Sequence, residues 1–283
     1  MAELMQMNGA VDLLKLNKMN SIILLIILNA IFLVSCSSNA RYDDAHFIHY
    51  NTSFFAEKGS DYKLSIAYLN KKGFESSIVP SEVASISFNN SENVRIEDFN
   101  FYDSPSTDKY DVRNIELNLH FIHTGAETLN ELKINFSDGS YKSYPIGNWY
   151  FEVENKDSLD KSPITMGEDF AIVSAFFDGY MVNLINQGDS DVAINDIHIN
   201  LDKVAMDRKG FQIDSKGNLQ EIITAKNEDP SYKFYIIRPR IEYVYNGEQH
   251  SYYPYASLYG TIKISEQDFD NEYLKSTFAS ESE

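Results

Sequence analysis

Apolar and polar side chains take turns along much of this chain. Ile115, Leu117, Leu119 and Phe121 occupy every second position, and Glu116, Asn118 and His120 fill the gaps. Successive side chains of a strand point to opposite faces, so this stretch predicts a half-buried antiparallel strand. Shorter runs of the same kind occur at Leu64-Ile66-Tyr68, Val83 to Phe88, Val94 to Phe101, Tyr180-Val182-Leu184 and Ile241-Tyr243-Tyr245. Turn signals punctuate them at Ser137-Asp138-Gly139-Ser140, Lys216-Gly217-Asn218 and Asn246-Gly247, the last a strong hairpin dipeptide. Helical periodicity is scarce. Its best candidate follows Ser265, where Ser265 and Asp268 have the spacing of a capping box and Phe269, Tyr273 and Phe278 share one predicted face.

The alternation carries a repeat. Residues 119–136, LHFIHTGAETLNELKINF, align with residues 182–201, VNLINQGDSDVAINDIHINL, when Gly125 is matched with Gly188 and two extra residues are allowed. Each copy reads as strand, glycine-containing turn, strand. The unit resembles a hairpin of immunoglobulin-like or fibronectin-like sandwiches, which bacterial envelope lipoproteins often carry in tandem. The resemblance implies an all-β fold: an antiparallel β-sandwich, as two immunoglobulin-like domains in series, with a short C-terminal helix. One larger β-domain is the other arrangement the pattern allows. On the tandem reading residues 61–154 form the first sandwich, 155–163 (NKDSLDKSP) a polar linker ended by proline, 164–265 the second sandwich and 266–283 a tail. Residues 45–60 then pack on the first sandwich or add an edge strand to it.

One apolar run does not alternate. Ile22 to Val34 reads IILLIILNAIFLV, preceded by Lys15 and Lys18 and followed by the chain's single cysteine, Cys36. Thirteen helical residues span about 20 Å, against a hydrocarbon core of roughly 30 Å, so the run predicts a secretory signal rather than a stable span. Leu33-Val34-Ser35-Cys36 resembles the lipobox of bacterial lipoproteins. That resemblance implies cleavage between Ser35 and Cys36, a diacylglyceryl group on the Cys36 sulfur, residues 1–35 as signal peptide and 36–60 as lipidated leader and N-terminal segment. The acidic residues Glu3 and Asp12 suit a signal poorly, which points to translation starting nearer Leu16 or Met19. With one cysteine no intramolecular disulfide forms, so stability rests on the core.

Composition narrows the partners. The formal charge is −18, and losing residues 1–35, with two acids and two bases, leaves it unchanged. Such a surface repels nucleic acid and anionic headgroups, which makes the lipid, rather than a basic patch, the expected membrane attachment. Aromatic content is high, with 19 Tyr and 18 Phe against one Trp.

Chemistry-bearing motifs are few. HFIH occurs at 46–49 and 120–123; on a strand residues three apart face opposite ways, which argues against a metal shared by His120 and His123, and at 46–49 no Cys or close Glu completes a ligand set. The acidic stretches 189–196 and 268–272 lack calcium-loop spacing. Ser106-Lys109 and Ser158-Lys161 have the Ser-x-x-Lys spacing of some serine hydrolases without its companion motifs. No nucleophile elbow, phosphate loop, dinucleotide fingerprint or zinc-protease helix is present, and no cofactor or metal is expected. Tyr252, Tyr253, Tyr255 and Tyr259 form the richest aromatic cluster. Exposed, these rings would stack on sugars or anchor a protein; half-buried, they would pair across a sheet. The resulting expectation is a lipid-anchored envelope protein, non-enzymatic, binding a protein or glycan. The alternative is an envelope carbohydrate or cell-wall hydrolase using paired carboxylates between domains.

Overall fold

A computed structural model describes residues 42–43, 45–156, 161–167, 173–174, 176–207, 210–227 and 232–260. Cys36, Ser35, residues 157–160 of the 155–163 segment and the expected C-terminal helix lie outside the described residues. Apart from one 3-10 turn at Pro80–Glu82, the regular elements of the described residues are strands. In chain order the strands are β1 (Tyr42–Asp43), β2 (His46–Phe47), β3 (Tyr50–Glu57), β4 (Asp61–Lys71), β5 (Glu75–Ser76), β6 (Val83–Phe88), β7 (Val94–Asp103), β8 (Tyr110–Phe121), β9 (Gly125–Phe136) and β10 (Tyr141–Glu154). They continue as β11 (Ile164–Met166), β12 (Val173–Ser174), β13 (Gly179–Asn186), β14 (Val192–His198), β15 (Val204–Met206), β16 (Phe211–Ile213), β17 (Asn218–Asn227), β18 (Phe234–Arg238), β19 (Arg240–Tyr245), β20 (Glu248–Tyr252) and β21 (Ser257–Tyr259). The fold is an all-β, largely antiparallel sandwich.

Every alternating run falls in a strand. Ile115, Leu117, Leu119 and Phe121 are fully buried on the inner face of β8, whose outer face carries Glu116, Asn118 and His120. The Asn246-Gly247 turn joins β19 to β20 in two residues, with φ of 53° and 83°. Both angles are positive, as a type I′ hairpin turn demands.

The repeat proves to be something other than a hairpin. β8 bonds to β4 and β7, whereas β9 bonds to β10 and β6 in a different sheet; likewise β13 bonds to β11 and β17, and β14 to β16 and β19. Each copy is therefore an arch that carries the chain from one sheet of a sandwich to the facing one. A glycine between two apolar strands signals a reversal but does not say whether the strands pair or face each other.

Beyond β10 two four-stranded sheets, in the orders β11-β13-β17-β15 and β16-β14-β19-β20, enclose a core of Tyr180, Val182, Leu184, Val192, Ile194, Ile241 and Tyr243. These orders correspond to the A-B-E-D and C′-C-F-G sheets of an immunoglobulin-like sandwich. The departure is that β15, at the D position, precedes β16, at C′. The first core lies between the sheet β2-β4-β8-β7 and a seven-stranded sheet ordered β12-β21-β18-β3-β10-β9-β6. At its centre Trp149, Phe151, Phe54, Phe121 and Phe88 pack ring against ring, with centroids 5.4 to 6.3 Å apart in the paired contacts.

The seven-stranded sheet joins the two cores. β3 lies between β10 and β18 and is parallel to both, with Thr52 level with Trp149 on one side and Ile236 on the other. It is thus an interior strand, not the edge strand expected of this segment. All of its residues but Glu57 are buried, including Asn51, Thr52 and Ser53. A strand covered on both faces has no reason to alternate, which is why YNTSFFAE escapes a period-two reading. In β18, Phe234 and Ile236 enter the first core while Tyr235 and Ile237 enter the second. Three strands from the second half of the chain, β12, β18 and β21, thus share a sheet with β3, β6, β9 and β10 across the division expected at 155–163, and the described residues from Asp43 onward fall in one compact unit.

Candidate functional site

Functional side chains gather in two places: where the two cores meet, and on the outer face of the β2-β4-β8-β7 sheet. The first is built on β3. Its odd-numbered residues face away from the first core and receive the chain that follows β14. The Asn51 side-chain amide donates to the Asp202 carbonyl (2.8 Å) and its oxygen accepts from the Asp202 amide (3.0 Å), while Ser53 Oγ accepts from the Asn200 amide (2.8 Å). These bonds satisfy Asn51 and Ser53 in a buried strand, whereas the Thr52 hydroxyl, on the opposite face, is buried without a hydrogen-bond partner among the described residues.

Arg238 and Arg240 flank Pro239 beside this contact. The Arg238 guanidinium donates to the carbonyls of Pro254 (2.9 Å) and Phe55 (3.1 Å) and lies over the rings of Phe54, Tyr62 and Tyr253. Burial lowers its pKa, yet an arginine still holds its proton throughout the physiological range. Arg240, whose side chain is 13% exposed, is ion-paired with Glu154, with Glu242 at 3.1 Å and with Glu152 at 3.7 Å. His198 stands opposite Arg240 in the β14–β19 ladder, with Nε2 3.1 Å from Glu242 and 3.7 Å from Asp196. Carboxylates do converge between the cores, but around a guanidinium that pairs with them.

The tyrosine cluster forms a strap over the same joint. Tyr253 donates to Glu154 (2.6 Å), and burial followed by that carboxylate raises its pKa far above the usual phenol value. Tyr252 accepts from the Met166 amide (3.2 Å) and Tyr259 from the Met181 amide (3.3 Å). Nearby, the Ala256 amide donates to Tyr62 (2.7 Å). Tyr259 is 4% exposed and belongs to the second core, Tyr252 and Tyr253 are half-buried, and Tyr255 alone offers its ring to solvent, at 66% exposure. The structure does not bring the four rings into one face.

The second place depends on register. Asp61, the first residue of β4, is level with His120 on β8, and Nδ1 of His120 lies 2.7 Å from Oδ1 of Asp61. On the other side β7 pairs Arg95 with His120, then slips by one residue between Ile96 and Asp98. The extra residue of that bulge is Glu97, which is exposed, so both Arg95 and Glu97 stand beside the imidazole. Asp61, Glu97 and His120 each offer a ligand atom, and these atoms lie within 4.8 Å of one another. His123, the other imidazole of this HFIH copy, has left the strand and is not among them. Sequence reasoning considered the His120–His123 pair and missed the other two, because 59 residues separate Asp61 from His120 and only the strand register and a bulge unite the three.

No family model matches the sequence, and no curated protein matches it. Among solved structures, the chain is similar to a protein of unknown function from Porphyromonas gingivalis, at 8% identity over 77% of this chain and 99% of that one, with a TM-score of 0.25. It is also similar to a non-cellulosomal cohesin from Archaeoglobus fulgidus, at 15% identity over 40% of this chain and 93% of that one, with a TM-score of 0.19. A third likeness is to the titin domains Z1Z2 in complex with telethonin, at 12% identity over 77% and 95%, with a TM-score of 0.17. At these scores the architecture rests on the strand order itself.

Proposed function

We propose that the chain is a lipid-anchored binding module of a bacterial cell envelope, engaging a protein or glycan without chemistry of its own. The observation that carries this reading is Leu33-Val34-Ser35-Cys36, directly after thirteen mostly apolar residues, in a chain with no other cysteine. Two acyl chains on the Cys36 sulfur suffice for stable anchoring, since each buried methylene contributes about 0.8 kcal/mol. The first core begins at Ala45, nine residues beyond Cys36, so the leader reaches at most about 30 Å and the body stays near the bilayer. An acidic surface favours such a tether over adsorption to anionic lipid.

The body supports binding through its exposed rings, Tyr255, Phe176, Tyr141 and Tyr102, which supply apolar area with little rotamer entropy to lose. The hydrolase alternative draws less support, because Glu152, Glu154 and Glu242 are engaged by Arg240. The test is mass spectrometry of the protein made in a bacterium that processes lipoproteins. A mature chain starting at diacylglyceryl-Cys36 and partitioning into detergent is expected, with Cys36→Ala uncleaved and without lipid. Residues 1–35 still joined to an unmodified thiol would overturn the anchor. A photoreactive residue at position 255, irradiated in intact envelopes, tests the binding role, and recovery of no crosslinked neighbour counts against it.

A further inference from the structure

The geometry points to a divalent transition-metal site formed by Asp61, Glu97 and His120 on the outer face of the β2-β4-β8-β7 sheet. Three adjacent strands each supply one ligand, an imidazole between two carboxylates, with ligand atoms within 4.8 Å of one another. The donor set of one nitrogen and two oxygens suits zinc and its first-row neighbours rather than calcium, which takes six to eight oxygens. Zinc bonds of about 2.0 to 2.2 Å at tetrahedral angles place two ligand atoms about 3.4 Å apart. The His120 Nδ1 to Asp61 Oδ1 contact of 2.7 Å therefore has to open by several tenths of an ångström. Both side chains stand on the solvent face and move without disturbing the core. With Nδ1 on the metal, the neutral imidazole carries its single proton on Nε2, so the ring changes tautomer and no net proton is released.

Two features make the ligands converge. The ladder fixes Asp61 opposite His120, flanked by the bonds Gly59 N–H to Phe121 O (2.7 Å) and Phe121 N–H to Ser60 O (3.1 Å). The bulge at Glu97 adds a carboxylate on the far side. Arg95 lies 2.5 Å from Glu97 Oε1 and competes with the metal for that carboxylate. Three protein ligands leave coordination positions for water, so an exposed site of this kind binds metal in the micromolar range instead of locking it permanently.

Isothermal titration of the full detergent-solubilised chain with zinc sulfate tests the assignment, alongside Asp61→Asn, Glu97→Gln, His120→Gln and Arg95→Ala. All four positions are on the outer face, and unchanged unfolding curves confirm that each variant is folded. One zinc per chain is expected. Loss of a partner that merely orients a ligand costs about 10 to 100-fold in affinity, so each ligand variant should lose at least tenfold, while Arg95→Ala binds as tightly as the parent or more so. Absence of stoichiometric binding in the parent overturns the site, and so does retained affinity in the three ligand variants, which would place the zinc on the other histidines.

Discussion

Replacing Gly147 by alanine tests whether β3 lies where the fold places it. Gly147 is level with Tyr50 at the point where β10 joins β3, and its φ is +92°. A Cβ there would stand 2.3 Å from the Tyr50 oxygen and 2.6 Å from its nitrogen, against an ordinary contact of 3.4 Å or more. Both obstacles are backbone, so relief requires β3 to move about 1 Å from β10. Gly139, at the tip of the β9–β10 hairpin, has a similar φ of +85° with nothing within 4 Å of the added carbon. Gly139→Ala should therefore cost only the left-handed backbone term, about 1 to 2 kcal/mol. Gly147→Ala carries that term plus a packing clash of about 1 to 3 kcal/mol, for a total of about 2 to 5 kcal/mol. Urea unfolding followed by the fluorescence of Trp149, the sole and fully buried tryptophan, reads both. A Gly147→Ala loss no larger than that of Gly139→Ala would refute the close approach of the two strands.

Other predictions concern the joint between the cores. Arg240→Met removes the cation from Glu152, Glu154 and Glu242; a fully buried pair broken this way costs about 3 to 5 kcal/mol, and with partners 25 to 30% exposed about 2 kcal/mol is expected by urea titration. A loss below about 0.5 kcal/mol, as for a surface pair, would show that the network is solvated. Burial lowers the pKa of His49, so the unfolded chain binds the proton more tightly. His49 therefore stabilises the fold fully above about pH 6.5 and progressively less below it. Between about pH 7.5 and 5.5 the stability of His49→Gln should fall less than that of the parent, and equal slopes would contradict the shift. Tyr253→Phe deletes the phenol donated to Glu154 and should cost about 1.5 to 3 kcal/mol, the range for hydrogen bonds to a charged group. A neutral substitution would mean that water replaces it.

Strands with one wet face announced themselves. β8 and β13 alternate because half of each must be apolar and half need not be, and Asn246-Gly247 signalled its turn because few dipeptides accept two positive φ angles. The strands that join the molecule were silent for the converse reason. Every side chain of β3 up to Ala56 is enclosed, and FYIIR of β18 divides its residues between two cores, so neither shows a period. The repeat was legible as two copies of one unit, but which sheet each strand enters depends on long-range pairing absent from a local pattern. The same holds for side-chain chemistry. HFIH drew attention to His120, whereas Asp61 and Glu97 reach it only through register and a bulge, and nothing local distinguishes Arg240 from any surface arginine. The Tyr252–Tyr259 cluster is visible as composition, yet its side chains diverge because Tyr252, Tyr253 and Tyr259 meet different partners while Tyr255 faces solvent.

The claim on which the account most depends is that β3 is an interior strand bonded to β10 and β18. Amide hydrogen exchange over residues 50–57, read by mass spectrometry, tests it directly. With both edges of β3 paired, these amides should exchange as slowly as those of β8, through global unfolding alone. Exchange as fast as in an unpaired edge strand would contradict the shared sheet and return the molecule to two sandwiches on a string.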